Sequence, residues 1–215
     1  GSFWIILGNI ASKIIMLFSS FVVLRILGEE QYGMFGLIRS TVNTFALMGS
    51  MGIGLAATKI IAENSADLVE IRAFIKNVLK VTCFLGSLVA LIIFVSSSSI
   101  CRFTGFTELT LSFQISSLLI LAISIQGTLI GILSGLEKFK EVSKGILGGA
   151  LIGLLIQVFG SLYFGVEGSV IGLIAQFFSS SLFYLLFLTK YFDLDFRSAS
   201  IMELKKYRTD FLNIS

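Results

Sequence analysis

Charge is scarce in this chain of 215 residues: Asp, Glu, Lys and Arg make up 13%, against roughly 25% in soluble domains. Hydrophobic residues reach 55% and the mean hydropathy is +0.96. The 16 cations and 13 carboxylates cannot supply the charged shell that a water-soluble fold of this size requires. Most of the surface therefore meets lipid. Histidine is absent, which removes imidazole catalysis and histidine-ligated metals. Two cysteines exclude a disulfide scaffold, and the apolar composition excludes intrinsic disorder. Proline is missing as well, where about 5% is average usage, and this favours long helices.

What the chain has in abundance is apolar runs. Six of them approach the 20 or so residues that cross about 30 Å of hydrocarbon, at 3–27, 34–57, 78–100, 109–134, 145–164 and 169–188. They are apolar on nearly all sides and lack the period-2 alternation of a membrane barrel. The expected class is an all-α integral membrane protein, with a six-helix bundle over 1–190. Residues 191–215 carry Ile201, Leu204, Tyr207, Phe211 and Ile214 at helical spacing between basic residues. That tail reads as a cytoplasmic amphipathic helix or as the run-in to a seventh span.

The connections alternate in charge. Lys59, Arg72, Lys76 and Lys80 follow the second run, Lys138, Lys140 and Lys144 the fourth, and Lys190, Arg197, Lys205, Lys206 and Arg208 the sixth. These twelve cations out of 16 predict a cytoplasmic side that includes both termini. The opposite connections, 28–33, 101–108 and 165–168, hold Arg102 alone. The first 25 residues do not read as a signal peptide, because Lys13 interrupts the run and no basic leader precedes it. Cys83 and Cys101 are about 27 Å apart on a continuous helix at 1.5 Å per residue. They cannot pair, and buried thiols are the expectation for both.

Helical projection of the first run places Asn9, Lys13 and Ser20 on one stripe, with Ser12 beside them. Arg39, Asn43 and Ser50 repeat the same spacing on the second. A cation in mid-membrane costs about 2.5–3.5 kcal/mol on insertion scales, so Lys13 and Arg39 are expected to face a wet cavity, with snorkelling as the alternative. Arg25, close to the end of its run, reads as an interfacial anchor. Ser117, Ser124, Thr128, Gly131 and Gly135 share an arc of the fourth run. Gly145, Gly149, Gly153 and Gly160 mark the fifth, and Gly168, Gly172 and Gln176 the sixth. Such stripes of small residues favour close helix packing more than ligand contact. Gln114, Gln126, Gln157 and Gln176 suit either a lumen or bonds between helices.

None of the 13 carboxylates falls inside a run, so a proton- or sodium-coupling acid has no candidate here. No nucleophile pairing, phosphate-cradling loop or metal cluster can be assembled. The intramembrane charge is purely positive and suits an anionic cargo such as a phosphate or pyrophosphate head group.

Several segments carry a resemblance. Arg25-Ile26-Leu27-Gly28-Glu29-Glu30-Gln31-Tyr32-Gly33-Met34-Phe35-Gly36 after a first span bearing Lys13 is similar to the opening of bacterial polysaccharide flippases. These are the O-antigen and capsule repeat-unit translocases of the multidrug/oligosaccharidyl-lipid/polysaccharide exporter superfamily. Gly52-Ile53-Gly54, Thr58-Lys59-Ile60-Ile61-Ala62, Gly135-Leu136-Glu137-Lys138-Phe139 and Phe164-Gly165-Val166-Glu167-Gly168 extend the likeness over nearly the whole chain. The resemblance implies a two-lobe transporter of the bacterial inner membrane, with this chain as its N-terminal six-helix lobe. It implies undecaprenyl-pyrophosphate-linked oligosaccharide as cargo, flipped to the periplasmic leaflet, and no cofactor. Lys13 and Arg39, with Asn9, Asn43 and Arg25, are the positions able to line a cationic cavity. Since alternating access moves one repeat against another, the chain reads as a fragment, a truncated product or a half that pairs with another polypeptide. A drug/cation antiporter of the same superfamily is disfavoured by the missing acid. A non-transporting membrane subunit and an enzyme of polysaccharide assembly remain as other classes, although the longest outer connection is too short for the latter.

Overall fold

A computed structural model describes residues 2–50, 52–63, 68–104 and 109–192. The described residues are helical apart from short connections: α1 (Ser2–Ser50), α2 (Ile53–Glu63), α3 (Leu68–Thr104), α4 (Thr110–Gly135) and α5 (Phe139–Phe192). The tail at 193–215 lies outside them. Four of the five helices are long and apolar enough to cross a membrane, which makes this an all-α membrane protein. Without proline to stop them, the helices run on until a glycine breaks them. α1 turns at Gly28 (φ 75°, ψ 174°) and α5 at Gly165 (φ 57°, ψ −130°), conformations that cost a residue with a Cβ far more than they cost glycine.

Each break makes a hairpin of two arms. In α5 the pairs of closest approach are Gly160 with Gly168, Gly172 with Gln157, Gly153 with Gln176, Gly149 with Ser180 and Gly145 with Tyr184. One number rises as the other falls, so the arms 139–164 and 166–192 are antiparallel along their length. In α1, Ser20 and Tyr32 share a hydroxyl hydrogen bond across the turn, and Met16 and Arg39 line one cavity. The first arms of the two hairpins run parallel, with Gly8 against Ser143 and the Ser19 hydroxyl donating to Gln157 Oε1 at 2.7 Å. Gln31 of α1 lies beside Gly165, so both turns sit at the same end of the bundle.

α4 is the central post. Antiparallel to it, α3 bonds through the Thr82 and Thr128 hydroxyls at 2.9 Å and sets Gly86 beside Ser124. Parallel to it, α2 places Gly54 against the Gly127 carbonyl, and Thr58 Oγ1 donates to the Gly131 carbonyl at 3.0 Å. Two apolar clusters mark the two ends. Phe35, Ile38, Cys101, Phe113, Ile120 and Val170 pack near the hairpin turns. Ile61, Ile75, Leu129, Ile132, Tyr184 and Leu188 pack at the opposite end. There α4 closes with Glu137 at φ 58° and bonds from Glu137 N to Ser134 O and from Lys138 N to Leu133 O, a left-handed C-terminal cap. Because lipid is as apolar as leucine, packing and hydrogen bonds hold such helices together. Many serines and threonines inside them donate to a carbonyl three or four residues back, as Ser116, Ser124 and Ser161 do, which satisfies the hydroxyl where no water is present.

Four expectations are corrected. The second apolar run, 34–57, is not one helix: α1 resumes at residue 29, ends at Ser50, and α2 starts afresh beyond Gly52 (φ 81°). The expected outer turn at 28–33 therefore shrinks to Gly28, because Glu29, Glu30 and Gln31 are good helix formers. The segment bearing Lys59, Arg72, Lys76 and Lys80 is largely helical rather than a loop, the first on α2 and the others on α3. Cys101 is buried as expected, but Cys83 is exposed on α3 beside Phe84.

Candidate functional site

The exposed surface is divided by chemistry. α3 presents Phe84, Leu88, Leu91, Ile92, Phe94 and Val95, and the first arm of α5 presents Leu151, Leu155, Phe159, Leu162, Tyr163 and Phe164. These are faces for lipid. The second arm of α1 differs. Its exposed residues between the turn and Thr44 include Glu29, Gly33, Gly36, Ser40, Asn43 and Thr44, which project within about 100° of arc at 100° per residue. No large apolar side chain is exposed anywhere from residue 22 to 46. The opposite face buries Phe35, Ile38, Val42 and Ala46, so the arm is firmly anchored and its polar side is held outward.

The first arm of α1 borders that strip. Asn9 and Lys13 are exposed, at the edge of an arc otherwise filled by Ile6, Ile10, Ile14, Leu17 and Phe18. The antiparallel register set by Ser20 with Tyr32, extended along both arms, places Lys13 opposite 39–42 and Asn9 opposite 43–46. Lys13 lies 15 residues from Gly28, about 22 Å along the arm at 1.5 Å per residue. The stripe expected from sequence is thus split: Asn9 and Lys13 point outward, Ser12 is buried and donates to the Asn9 carbonyl at 3.0 Å, and Ser20 is turned toward Tyr32.

Arg39 and Asn43 part company on the second arm. Asn43 is exposed, whereas Arg39 is half-buried and lines a cavity of about 10 Å³ with Ser19, Ser20, Gln157 and Gln176. Arg25 stands three residues before the turn, exposed, with its guanidinium 5.0 Å from the Phe21 ring centroid. That is a cation–π contact at the end of the bundle, away from Lys13. Hence Lys13, Asn9 and Asn43 fall along one outward strip, Arg39 sits behind it, and Arg25 stands apart. Ser50 of the expected second stripe has a side chain outside the described residues. Sequence reasoning missed Ser40 and Thr44 as members of the strip. It also left Gln157 and Gln176 open. Their signal was present: each glutamine follows a glycine by four residues, Gly153 and Gly172.

Among the described residues no ion pair neutralises this strip. Salt bridges elsewhere include Lys59 with Glu63 at 3.9 Å and Lys144 with Glu141 at 2.8 Å, both between near neighbours on a helix. Glu29 is the strip's carboxylate, and it lies next to the turn rather than in the middle of the arm.

Comparison with curated proteins and with solved structures returned no match. A family model described as polysaccharide biosynthesis protein matches residues 1–215. That span is the entire chain, so the protein belongs to this polysaccharide biosynthesis family.

Proposed function

We propose that this chain is one six-crossing lobe of a flippase for undecaprenyl-pyrophosphate-linked oligosaccharide, working from the cytoplasmic to the periplasmic leaflet of a bacterial inner membrane. The observation that carries the reading is the outward polar strip on the second arm of α1, bordered by Lys13 and Asn9. Ser40 and Thr44 donate to the Leu37 and Ser40 carbonyls of their own helix, but a face of Gly, Ser, Asn and Thr offers lipid little apolar surface. It suits a water-filled cavity shared with a second helical bundle, from the same polypeptide or another, in which a sugar chain finds hydroxyl and amide partners. Lys13 supplies positive charge there for a pyrophosphate. Arg39 lies behind the strip in a small cavity of its own, and Arg25 anchors the turn at the interface.

Helix length supports six crossings. α1 has 49 residues and α5 has 54, about 74 and 81 Å at 1.5 Å per residue, each enough to span about 30 Å of hydrocarbon twice. Their reversals at Gly28 and Gly165 supply the turns. Charge distribution supports the orientation: Lys59, Arg72, Lys138, Lys140, Lys144 and Lys190 lie toward the end opposite the turns, whereas Arg25 and Arg102 lie toward the turns. Under the positive-inside rule the turns are periplasmic.

The test reconstitutes the native full-length protein in vesicles and follows translocation of a pyrophosphate-linked oligosaccharide. Lys13→Ala is expected to slow it at least about ten-fold, as loss of a charge-assisted contact does, with Lys13→Arg recovering most of the rate. Undiminished flipping by Lys13→Ala rejects the proposed role. Ion-coupled export of a cationic drug by the wild type, without flipping, favours the antiporter instead.

A further inference from the structure

The arms of α5 are not zipped by small residues alone. Gln157 sits across from Gly172, and Gln176 across from Gly153. Each glutamine thus occupies space that the opposite arm leaves by having no side chain, and the two stand one helical turn apart along the hairpin. Both line the cavity that also meets Arg39, Ser19 and Ser20 of α1. Its volume of about 10 Å³ is close to the least that admits a single water-sized species.

An inventory of donors and acceptors shows what that species must be. Ser19 donates to Gln157 Oε1, which assigns the other end of that amide, Nε2, as a donor with no partner among the described residues. The Ser20 hydroxyl is engaged with Tyr32. Neither the Gln176 amide nor the Arg39 guanidinium makes a hydrogen bond or ion pair with the described residues. The lining contains no carboxylate. One cation and two glutamines therefore line one small space that holds no carboxylate. Arg39 is 11 residues from Gly28, about 16 Å along the arm at 1.5 Å per residue. That depth is near the middle of the hydrocarbon, where an unneutralised cation is costly.

We propose that this cavity, widened by a small movement of the half-buried Arg39 side chain, is a binding site for a small monovalent anion of halide size, the counterion of Arg39. The anion accepts from the guanidinium and from the amide N–H groups of Gln157 and Gln176. Because the lining comes from both arms of α1 and both arms of α5, an occupied site ties the two hairpins together. A water molecule would use the same donors but would leave the charge of Arg39 uncompensated. The assignment is independent of the cargo, since Lys13 is not in the lining.

The native full-length protein, purified in sodium gluconate, is titrated with radioactive chloride, and crystals are soaked in bromide to seek anomalous density. The expected result is one saturable chloride per chain and a bromide peak between Arg39 and Gln176. Arg39→Gln should lower chloride affinity at least about ten-fold, as loss of an ionic hydrogen bond does. Gln176→Leu should lower it several-fold, and Lys13→Ala should leave it unchanged. Should Arg39→Gln fail to fold, Gln176→Leu and wild-type melting carry the test: chloride should raise the melting temperature above that in gluconate at equal ionic strength. The proposal is overturned by no saturable chloride, by uptake undiminished in Gln176→Leu, or by a water alone in the cavity under bromide.

Discussion

α1 and α5 are the same device with opposite surfaces. Each is a pair of antiparallel arms joined at a glycine with positive φ, and the two turns lie at one end of the bundle. In α5 the small residues face inward, where Gly160, Gly168, Gly172 and Ser180 let backbones meet, and the exposed side is aliphatic and aromatic. In the second arm of α1 the arrangement is reversed. Phe35, Ile38 and Val42 are buried, whereas Gly33, Gly36, Ser40, Asn43 and Thr44 are exposed. The same residue types therefore mean different things on the two hairpins: on α5 they bring helices together, and on α1 they form an exposed face without large apolar side chains. Composition alone does not separate these uses; the side on which the large apolar residues fall does.

The sharpest way to break that comparison is to fill one glycine on each hairpin. Gly168→Leu would drive a side chain into the Gly160 backbone. Overpacking of this kind costs 1–3 kcal/mol and more when the neighbour is main chain, so monodisperse protein should disappear from size-exclusion profiles. Gly36→Ala meets nothing within 4 Å and adds helix propensity worth up to about 1 kcal/mol, so its melting temperature should hold or rise. A tolerated Gly168→Leu, or a crippled Gly36→Ala, would show that the two hairpins do not divide the work as described. Next in size is a change of surface without a change of packing. Ser40→Leu combined with Asn43→Leu makes the α1 strip resemble the α5 exterior. The double variant should fold and melt like the wild type yet lose about ten-fold or more in oligosaccharide flipping. Equal loss of folding and flipping would instead mark the strip as a packing surface.

Much of this was legible in the sequence, and what was not has physical causes. The glycine and serine stripes were read as packing surfaces, and Ser117, Ser124, Thr128, Gly131 and Gly135 are indeed buried on α4. Long apolar runs announced an all-α membrane protein, since length and hydropathy are local properties. The limits of α1 and α2 were not legible. Glu29, Glu30 and Gln31 are polar enough for a turn and helical enough to continue, and only tertiary anchoring of Phe35 and Ile38 decides between them. Arg39 posed a similar difficulty. Its spacing with Asn43 put both on one stripe, but Arg39 is half-buried and lines a cavity with Gln157 and Gln176, more than a hundred residues away. Long-range pairs of this kind leave only a faint local trace, here a glycine four residues before each glutamine.

A smaller effect should distinguish the two turns from the arms they join. Gly165→Ala has room for its methyl group, with Gln31 Oε1 3.6 Å away, so its cost is backbone strain alone. Conformations of this type cost about 1–3 kcal/mol. Gly28→Ala, likewise with open space around it and positive φ, should fall in the same range. Both should lower the melting temperature while flipping per folded molecule is retained. A selective loss of flipping in Gly28→Ala would indicate that the α1 turn bends during transport whereas the α5 turn does not.

The smallest expected effect addresses what joins the hairpins. Ser19 and Gln157 form the buried side-chain bond between them, 138 positions apart in sequence. Ser19→Ala removes the donor and leaves Gln157 Oε1 to find another partner, at a cost of about 1 kcal/mol. In membranes the coupling measured by double-mutant cycles averages about 0.6 kcal/mol, so a cycle with Gln157→Met should return a value near that, read from thermal or denaturant unfolding. A coupling near zero would mean that backbone packing of Gly8 against Ser143 suffices to align the first arms. A coupling several times larger would mean that Ser19 acts by orienting the Gln157 amide. In that case it should grow in chloride and shrink in gluconate, because an anion on Nε2 strengthens the very orientation that the Ser19 hydroxyl imposes.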